Sequence, residues 1–458
     1  MSTLKVVSPF DLSPITTLKM KNEKEALALI KSAYDLFINR DKWLAPFERI
    51  LILEKALELI KSRFEKLVTD AAREGGKPYI DSKVEIERGM EGIKIAIKEM
   101  AHLKGTEIPM NITKSSAGRF AYTRYEPRGV VLGISAFNHP FNLIIHQVIP
   151  AFATGCPIII KPASSTPISC KNLVEILYEA GLPKNYCQMI VCENSVTEKM
   201  VTDSRIAFLS FIGSGKVGWY LRSKLPPGAT CALEHGGVAP VIVDKTADLS
   251  KAIPALIKGG FYHAGQVCVS VQRIYLHKEI EKEFTKKFVD GAKKLKVGDP
   301  LDKKTEIGPL ISPKEVDRIH SWVKESKGKI LCGGNKISNT CYEPTVVLNP
   351  SKDSKLSTLE VFGPVVCLYT YTDIDDAISK ANSLDFAFQA AIFSNDLSVT
   401  LKAVKNLEGL AVMVNDHTAF RVDWMPFGGY RQSGLGIGGI GPTMKEMSLE
   451  KMTVFKYL

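Results

Sequence analysis

The chain has no run of like charges, no cysteine or histidine spacing of the zinc-binding kind, no tandem repeat, no low-complexity tract and no long linker. Each absence removes a class of function. Without a block of lysine or arginine there is no arm for nucleic acid. The net charge is +11, but acids lie between the scattered lysines, so the excess is read as a solvated basic surface. Such a field still favours anionic cofactors and substrates. The most apolar stretch, Leu143 to Ile160, is broken by His146, Gln147, Pro150, Gly155 and Pro157, so it is not a membrane helix. No signal-peptide pattern opens the sequence, and the nine cysteines are odd in number. The expectations are a cytoplasmic location, buried structural thiols for most cysteines, no metal, no membrane and no nucleic-acid partner.

What is present is ordinary globular composition, 45% hydrophobic and 24% charged, over 458 residues. That length implies roughly two or three domains. Short extended segments surround Pro9 and Pro14. Asn22 is the cap of a first helix, with Glu23 and Glu25 in its first turn. Helical patterns run to about residue 104, and the last of them, Asp81 to Leu103, carries Arg88. The stretch Met110–Pro127 is polar and strand-like and reads as an antiparallel excursion. Strands are expected at 129–134, 157–160, 188–191 and 206–211, with helices between. The pattern recurs after Glu234, with strands at 241–243 and 271–277 and helices at 249–263 and 279–294. Strands alternating with helices specify parallel βαβ units, hence an α/β fold with two doubly wound domains. The tail from about residue 446 is again extended.

The chemistry centres on Phe261–Arg273. Cys268 follows the small Ala264-Gly265 pair and precedes an alternating apolar segment. Glu234 stands at the mouth of the Gly236-Gly237 turn. A thiol nucleophile needs exposure, a base and donors for the oxyanion it creates. Two stretches fit the G-x-G-x-x-G pattern. Gly436, Gly438 and Gly441 follow no strand and read as a structural loop. Gly213, Gly215 and Gly218 lie between a strand and a helix. A classical dinucleotide reading of that second site makes Glu234 a ribose ligand, a rival to its role as base.

Seven motifs occur in a fixed order. They are Asn138 within Phe-Asn-His-Pro-Phe, Lys161-Pro162, Gly213-Ser214-x-x-Val217-Gly218, Glu234-x-Gly-Gly, Gly265-Gln-Val-Cys268, Glu360-Val-Phe362-Gly-Pro364, and Pro426-Phe-Gly-Gly429 with Ser433-Gly-Leu-Gly436. On these the chain resembles the aldehyde dehydrogenase superfamily over essentially its whole length.

The resemblance implies an aldehyde-dehydrogenase-like fold: a dinucleotide-binding domain (1–107 and 127–236), a catalytic domain (237–440) and a small β oligomerisation hairpin (108–126 with 441–458). It implies a homodimer or homotetramer. Cys268 is the expected nucleophile, Asn138 and the Cys268 N–H the oxyanion donors, and Glu234 the general base. Gly213, Ser214, Val217, Lys161, Glu360 and Phe362 are the expected cofactor contacts. Ser164 departs from the glutamate of many NAD-preferring relatives. It removes a repulsion beside Lys161, so NADP is expected to be preferred or accepted, with NAD the alternative. His235 replaces the usual leucine; it packs or tunes Glu234. Arg88, His139 and Arg421 are candidates to hold an anionic substrate, although Val267 stands where phosphonate-handling relatives often place arginine. The implied reaction is NAD(P)-dependent oxidation of a small aldehyde, anionic or neutral, to its acid through a cysteine thioester. An acyl-CoA reductase using the same cysteine is the alternative, and Glu234 argues against it.

Overall fold

Two parallel sheets are built where short β-branched runs alternate with helices. The computed structural model describes residues 2–457; positions 1 and 458, the outer ends of the terminal segments, lie outside the described residues. The first sheet contains the parallel strands Val130–Ile134, Ile158–Lys161, Cys187–Met189, Ile206–Ile212 and Thr230–Glu234. Val130–Ile134, first in the chain, lies in the middle, between Ile158–Lys161 and Ile206–Ile212. Chain direction across the sheet therefore reverses there, and ligands of such sheets bind beyond the strand C-termini at that reversal. Gln147 ties the point together, donating to the carbonyls of Ile134 at 3.2 Å and Ser210 at 2.9 Å. The sixth strand, Gly434–Leu435, comes from far down the chain and pairs antiparallel with Thr230–Glu234.

The second sheet has seven strands. Pro240–Val243 lies between Arg273–His277 and Gln389–Phe393, and the pairings are parallel except at the edge strand Lys329–Cys332. Each sheet buries apolar side chains on both faces, the condition for parallel strands. The expected doubly wound α/β architecture is therefore observed in both halves.

The excursion is a small antiparallel sheet. Arg119–Pro127 pairs along its nine residues with Ser448–Lys456, and over two residues with Glu107–Ile108. It is shorter than the sequence indicates. Lys114–Ser116 forms a turn of 3₁₀ helix, and Ile440–Glu446 is a helix rather than strand. Ile440 and Met444 are fully buried in the core around the first sheet, and that packing fixes the helix. At the other end of the chain, Asn22 caps helix Glu23–Ile38 by accepting the Glu25 N–H at 2.9 Å, as its sequence indicates.

Two buried glutamates hold the starts of helices in the first half, and one of these helices, Asn142–Thr154, reaches the site. Glu74 accepts from the N–H groups of Ile168 (2.6 Å) and Ser169 (2.7 Å), at the start of helix Pro167–Glu179. Glu85 accepts from Phe141 (2.8 Å) and Asn142 (3.0 Å), at the start of helix Asn142–Thr154. A carboxylate is favoured at a helix N-terminus. Glu85 is also paired with Lys77, and both side chains are wholly enclosed. Among the described residues, no helix is long and apolar enough to cross a membrane.

Candidate active site

The ends of the first-sheet strands converge on one cavity. Ile134 pairs in register with Lys161 and Phe211, and Ile212 with Glu234, so the loops after these strands leave at one edge. The second sheet contributes the loop before Arg273–His277, which holds Cys268. Between them lies a cavity of about 550 Å³. Its wall includes Asn138, Glu234 and Cys268 together with Gly213, Ser214 and Glu360.

The Cys268 loop is held by backbone geometry. His263, Ala264 and Gly265 all have positive φ, at 49°, 54° and 69°. A Cβ at Gly265 would overlap the carbonyl of Gly363, so the loop packs directly on the Glu360–Pro364 motif. Gln266 anchors the turn: its side chain donates to Pro309 O at 3.1 Å and accepts from Ile311 N at 2.9 Å. Its main-chain carbonyl accepts from Asn138 Nδ2 at 2.9 Å. Gln272 brackets Glu360, donating to Leu359 O at 2.7 Å and accepting from Val361 N at 2.9 Å.

Burial pushes the Cys268 thiol up to about 12, and the Glu360 and Glu234 charges add to the shift while Arg421 opposes it. The resting group is a thiol. Burial also raises Glu234; the nearby Glu446 adds to this and Arg421 opposes it. A Cβ at Gly438 would overlap the Glu234 carboxylate. The stretch with Gly436, Gly438 and Gly441 is thus the wall behind Glu234; contrary to its reading as a loop that follows no strand, it leaves strand Gly434–Leu435 and runs into helix Ile440–Glu446. Burial pushes Glu360 up to about 8. His235 packs between Phe211 and Trp219, with ring centroids 5.8 and 5.5 Å away. Its Nδ1 lies 3.0 Å from the Gly213 carbonyl.

The expected substrate residues divide. Arg88, His139 and Arg421 all line the cavity. Arg88, however, forms a two-pronged ion pair with Asp423 at 3.0 and 2.7 Å. Burial, with Lys77 and His263 beside it, holds His139 well below the usual imidazole range, so it is uncharged. Neither is a free cation. Arg421 is different. It stacks on Phe427, 3.5 Å from the ring centroid, and makes no ion pair among the described residues. Val217 and Phe362 also face the cavity, but Lys161 and Ser164 do not line it. Lys161 is buried at its strand end and Ser164 is exposed in the following turn. Sequence reasoning missed Tyr262, whose hydroxyl lies 3.5 Å from His139 Nε2. Its position inside the Phe261–Arg273 stretch was the available signal.

A family model described as "Aldehyde dehydrogenase family" matches residues 1–457. A 3-sulfolactaldehyde dehydrogenase from Priestia aryabhattai is 37% identical, over 98% of this chain and 94% of that protein. The chain belongs to the aldehyde dehydrogenase family. It is an NAD(P)-dependent oxidoreductase of small aldehydes. Among solved structures, aldehyde dehydrogenase 21 from Physcomitrella patens, in complex with the reaction product succinate, is 33% identical with a TM-score of 0.95, covering 100% of this chain and 95% of that one. Glyceraldehyde-3-phosphate dehydrogenase from Methanocaldococcus jannaschii, complexed with NADP, is 35% identical with a TM-score of 0.94 and 99% coverage of both chains.

The cavity of this dehydrogenase fits a dinucleotide. Ser214 caps helix Gly215–Arg222 without a side-chain hydrogen bond, leaving first-turn N–H groups for an anion. Glu360 Oε1 is buried without a partner, as a carboxyl group awaiting a hydroxyl would be.

Proposed function

We propose that this enzyme oxidises a small anionic aldehyde to its acid through a thioester on Cys268. The observation that supports this most is the meeting of Cys268, Glu234 and Asn138 in one cavity with the helix start at Ser214, whose side chain makes no capping hydrogen bond. Cys268 loses its proton to Glu234 and its sulfur bonds the aldehyde carbon. The carbonyl oxygen becomes an oxyanion, met by the Asn138 amide and the Cys268 N–H. Bound NAD(P) supplies the acceptor for the hydride that departs as the adduct becomes a thioester. Glu234, its proton released to solvent, takes one from water, and the hydroxide displaces the Cys268 thiolate to give the acid. A raised carboxylate is suited to this transfer near neutral pH. A buried base of this kind supports water over CoA as acceptor.

Ser214 and Glu360 would hold the pyrophosphate and a ribose, with Gly213, Val217 and Phe362 around them. Lys161 would hold the adenosine end, and Ser164 leaves room for the 2′-phosphate of NADP. Arg421, a half-buried cation on the cavity wall without an ion pair among the described residues, supports an anionic substrate. The first-sheet half is the proposed dinucleotide domain and the second the catalytic domain. Exposed Leu449, Met452, Val454 and Phe455 on the small sheet support assembly with further copies of the chain, as a dimer or tetramer. The nine unpaired thiols support a reducing, cytoplasmic setting.

The test is intact-mass analysis after mixing with aldehyde and oxidised dinucleotide. An acyl adduct is expected at residue 268 and absent from Cys268→Ser. Turnover by wild type with no mass gain at that residue, or full turnover by Cys268→Ser, would reject the mechanism.

A further inference from the structure

Behind Arg421 three side chains, His146, Asp423 and Arg88, continue it into a line of four. Asp423 receives two hydrogen bonds from Arg88 and one from Asn142 Nδ2 at 3.2 Å. Its Oδ1 also lies 2.7 Å from His146 Nε2. On the other side of the imidazole, Arg421 Nη2 lies 3.4 Å from His146 Nδ1. Guanidinium has donors only, so Nδ1 must accept. The proton therefore resides on Nε2 and is donated to Asp423. His146 is 4% exposed and Asp423 2%, so water does not substitute for either contact.

The arrangement has an electrostatic consequence. The Asp423 charge is taken up by Arg88. Arg421 stacks on Phe427 and feels the Glu234 and Asp423 charges at a distance, but its one hydrogen-bond partner is a neutral imidazole lone pair, and its Nε is buried without a partner. Burial and the Arg421 charge push His146 down to about 4, which keeps it neutral in working conditions. Had the chain placed a carboxylate at position 146, Arg421 would be neutralised before substrate arrived.

We infer that His146 is a positioning residue that orients Arg421 while leaving its charge unpaired, and so makes the site selective for an aldehyde with one negative charge. The inference rests on the anionic-aldehyde reading above. Of the cations on the cavity wall, Arg88 is paired with Asp423 and Lys258 is exposed to solvent, so Arg421 is the one shielded cation without an ion pair among the described residues, and it matches one anionic group. A phosphoryl dianion would bring a second charge with no counterpart in the line.

The probes are 3-sulfolactaldehyde and lactaldehyde, which differ by a sulfonate, with glyceraldehyde 3-phosphate as the dianion. His146→Gln places an amide N–H where Nε2 was, keeping the bond to Asp423 and dropping the one to Arg421. His146→Asn does the reverse. The wild-type enzyme is expected to favour 3-sulfolactaldehyde over both other aldehydes. His146→Gln should raise KM for 3-sulfolactaldehyde about ten-fold or more, the effect of losing a hydrogen bond to a charged group. Its kcat and its KM for lactaldehyde should stay near wild type. His146→Asn should lose less. If both variants keep the wild-type preference, or slow all aldehydes equally, the positioning role is overturned. If the wild-type enzyme does not distinguish 3-sulfolactaldehyde from lactaldehyde, the anionic-substrate reading itself fails. A wild-type preference for the phosphate would overturn the single-charge match.

Discussion

Asn138 donates its side-chain amide to the main-chain carbonyl of Gln266 at 2.9 Å, across 128 positions of sequence. One amide hydrogen is thereby used to aim the group and the other remains for an oxyanion. The bond also ties the loop after Val130–Ile134 of the first sheet to the Cys268 loop of the second half. Replacing Asn138 with alanine is expected to lower kcat by roughly 10²–10³, the usual loss for one oxyanion donor. Dinucleotide binding, measured by fluorescence titration, should not change. A kcat within a few-fold of wild type would remove Asn138 from the oxyanion site.

Glu234→Gln should separate the two halves of the reaction. A stoichiometric burst of reduced dinucleotide at alkaline pH is expected in stopped flow, followed by steady-state turnover slowed by about 10²–10⁴. Loss of the burst together with turnover would show that Glu234 is indispensable for reaching the thioester, and would remove the separation of the two halves.

The same carboxyl gives a pH prediction. Glu234 is raised above the ordinary carboxyl value of 4.5 by burial. In the proposed mechanism hydrolysis needs its ionised form, so kcat should rise with pH through a midpoint above 4.5. Stability moves the other way. The folded state binds this proton more tightly than the unfolded chain, so stability falls as pH rises from 4.5 through the raised value. At about pH 8, Glu234→Gln should melt higher than wild type, by roughly 1–4 °C. A lower melting point would mean that the carboxylate is stabilised in place.

Ser164→Glu should turn the cofactor preference. A carboxylate there repels a 2′-phosphate, and at an exposed position the effect is about five-fold in KM for NADP at low salt. KM for NAD should hold or fall, and the discrimination should shrink as salt is added. Equal effects on both dinucleotides would place Ser164 away from the adenosine ribose.

Gly265→Ala tests the loop. Its φ of 69° and the Gly363 carbonyl beside it leave no room for a methyl group. A loss of roughly 2–5 kcal/mol in chemical denaturation is expected from backbone strain and overlap together. A variant as stable as wild type would show that the two motifs are not packed as described.

Much of this was readable in advance because it is local. The strand–helix alternation, the Asn22 cap and the ordered motifs each depend on neighbours in sequence. The pairing of Arg88 with Asp423 is not local; the partners are 335 positions apart. Arg88 and Arg421 look equivalent in sequence, and only the fold shows that one is neutralised and the other is not. His146 appeared merely as a polar break in an apolar run, since its two contacts come from a distant loop. The helix Ile440–Glu446 was hidden for a related reason: core packing, rather than its glycine and proline content, decides its conformation.

The strand Gly434–Leu435 completes the first sheet beside Glu234. During synthesis, then, Glu234 sits on an open sheet edge until the ribosome has delivered residues 434 and 435, about 200 positions later. The two halves cannot be separated into working fragments by a cut between them, because the earlier half borrows its last strand from the later one. Nascent chains stalled before that strand would expose a pairing edge, which makes them natural clients for chaperones and poor candidates for split-protein designs.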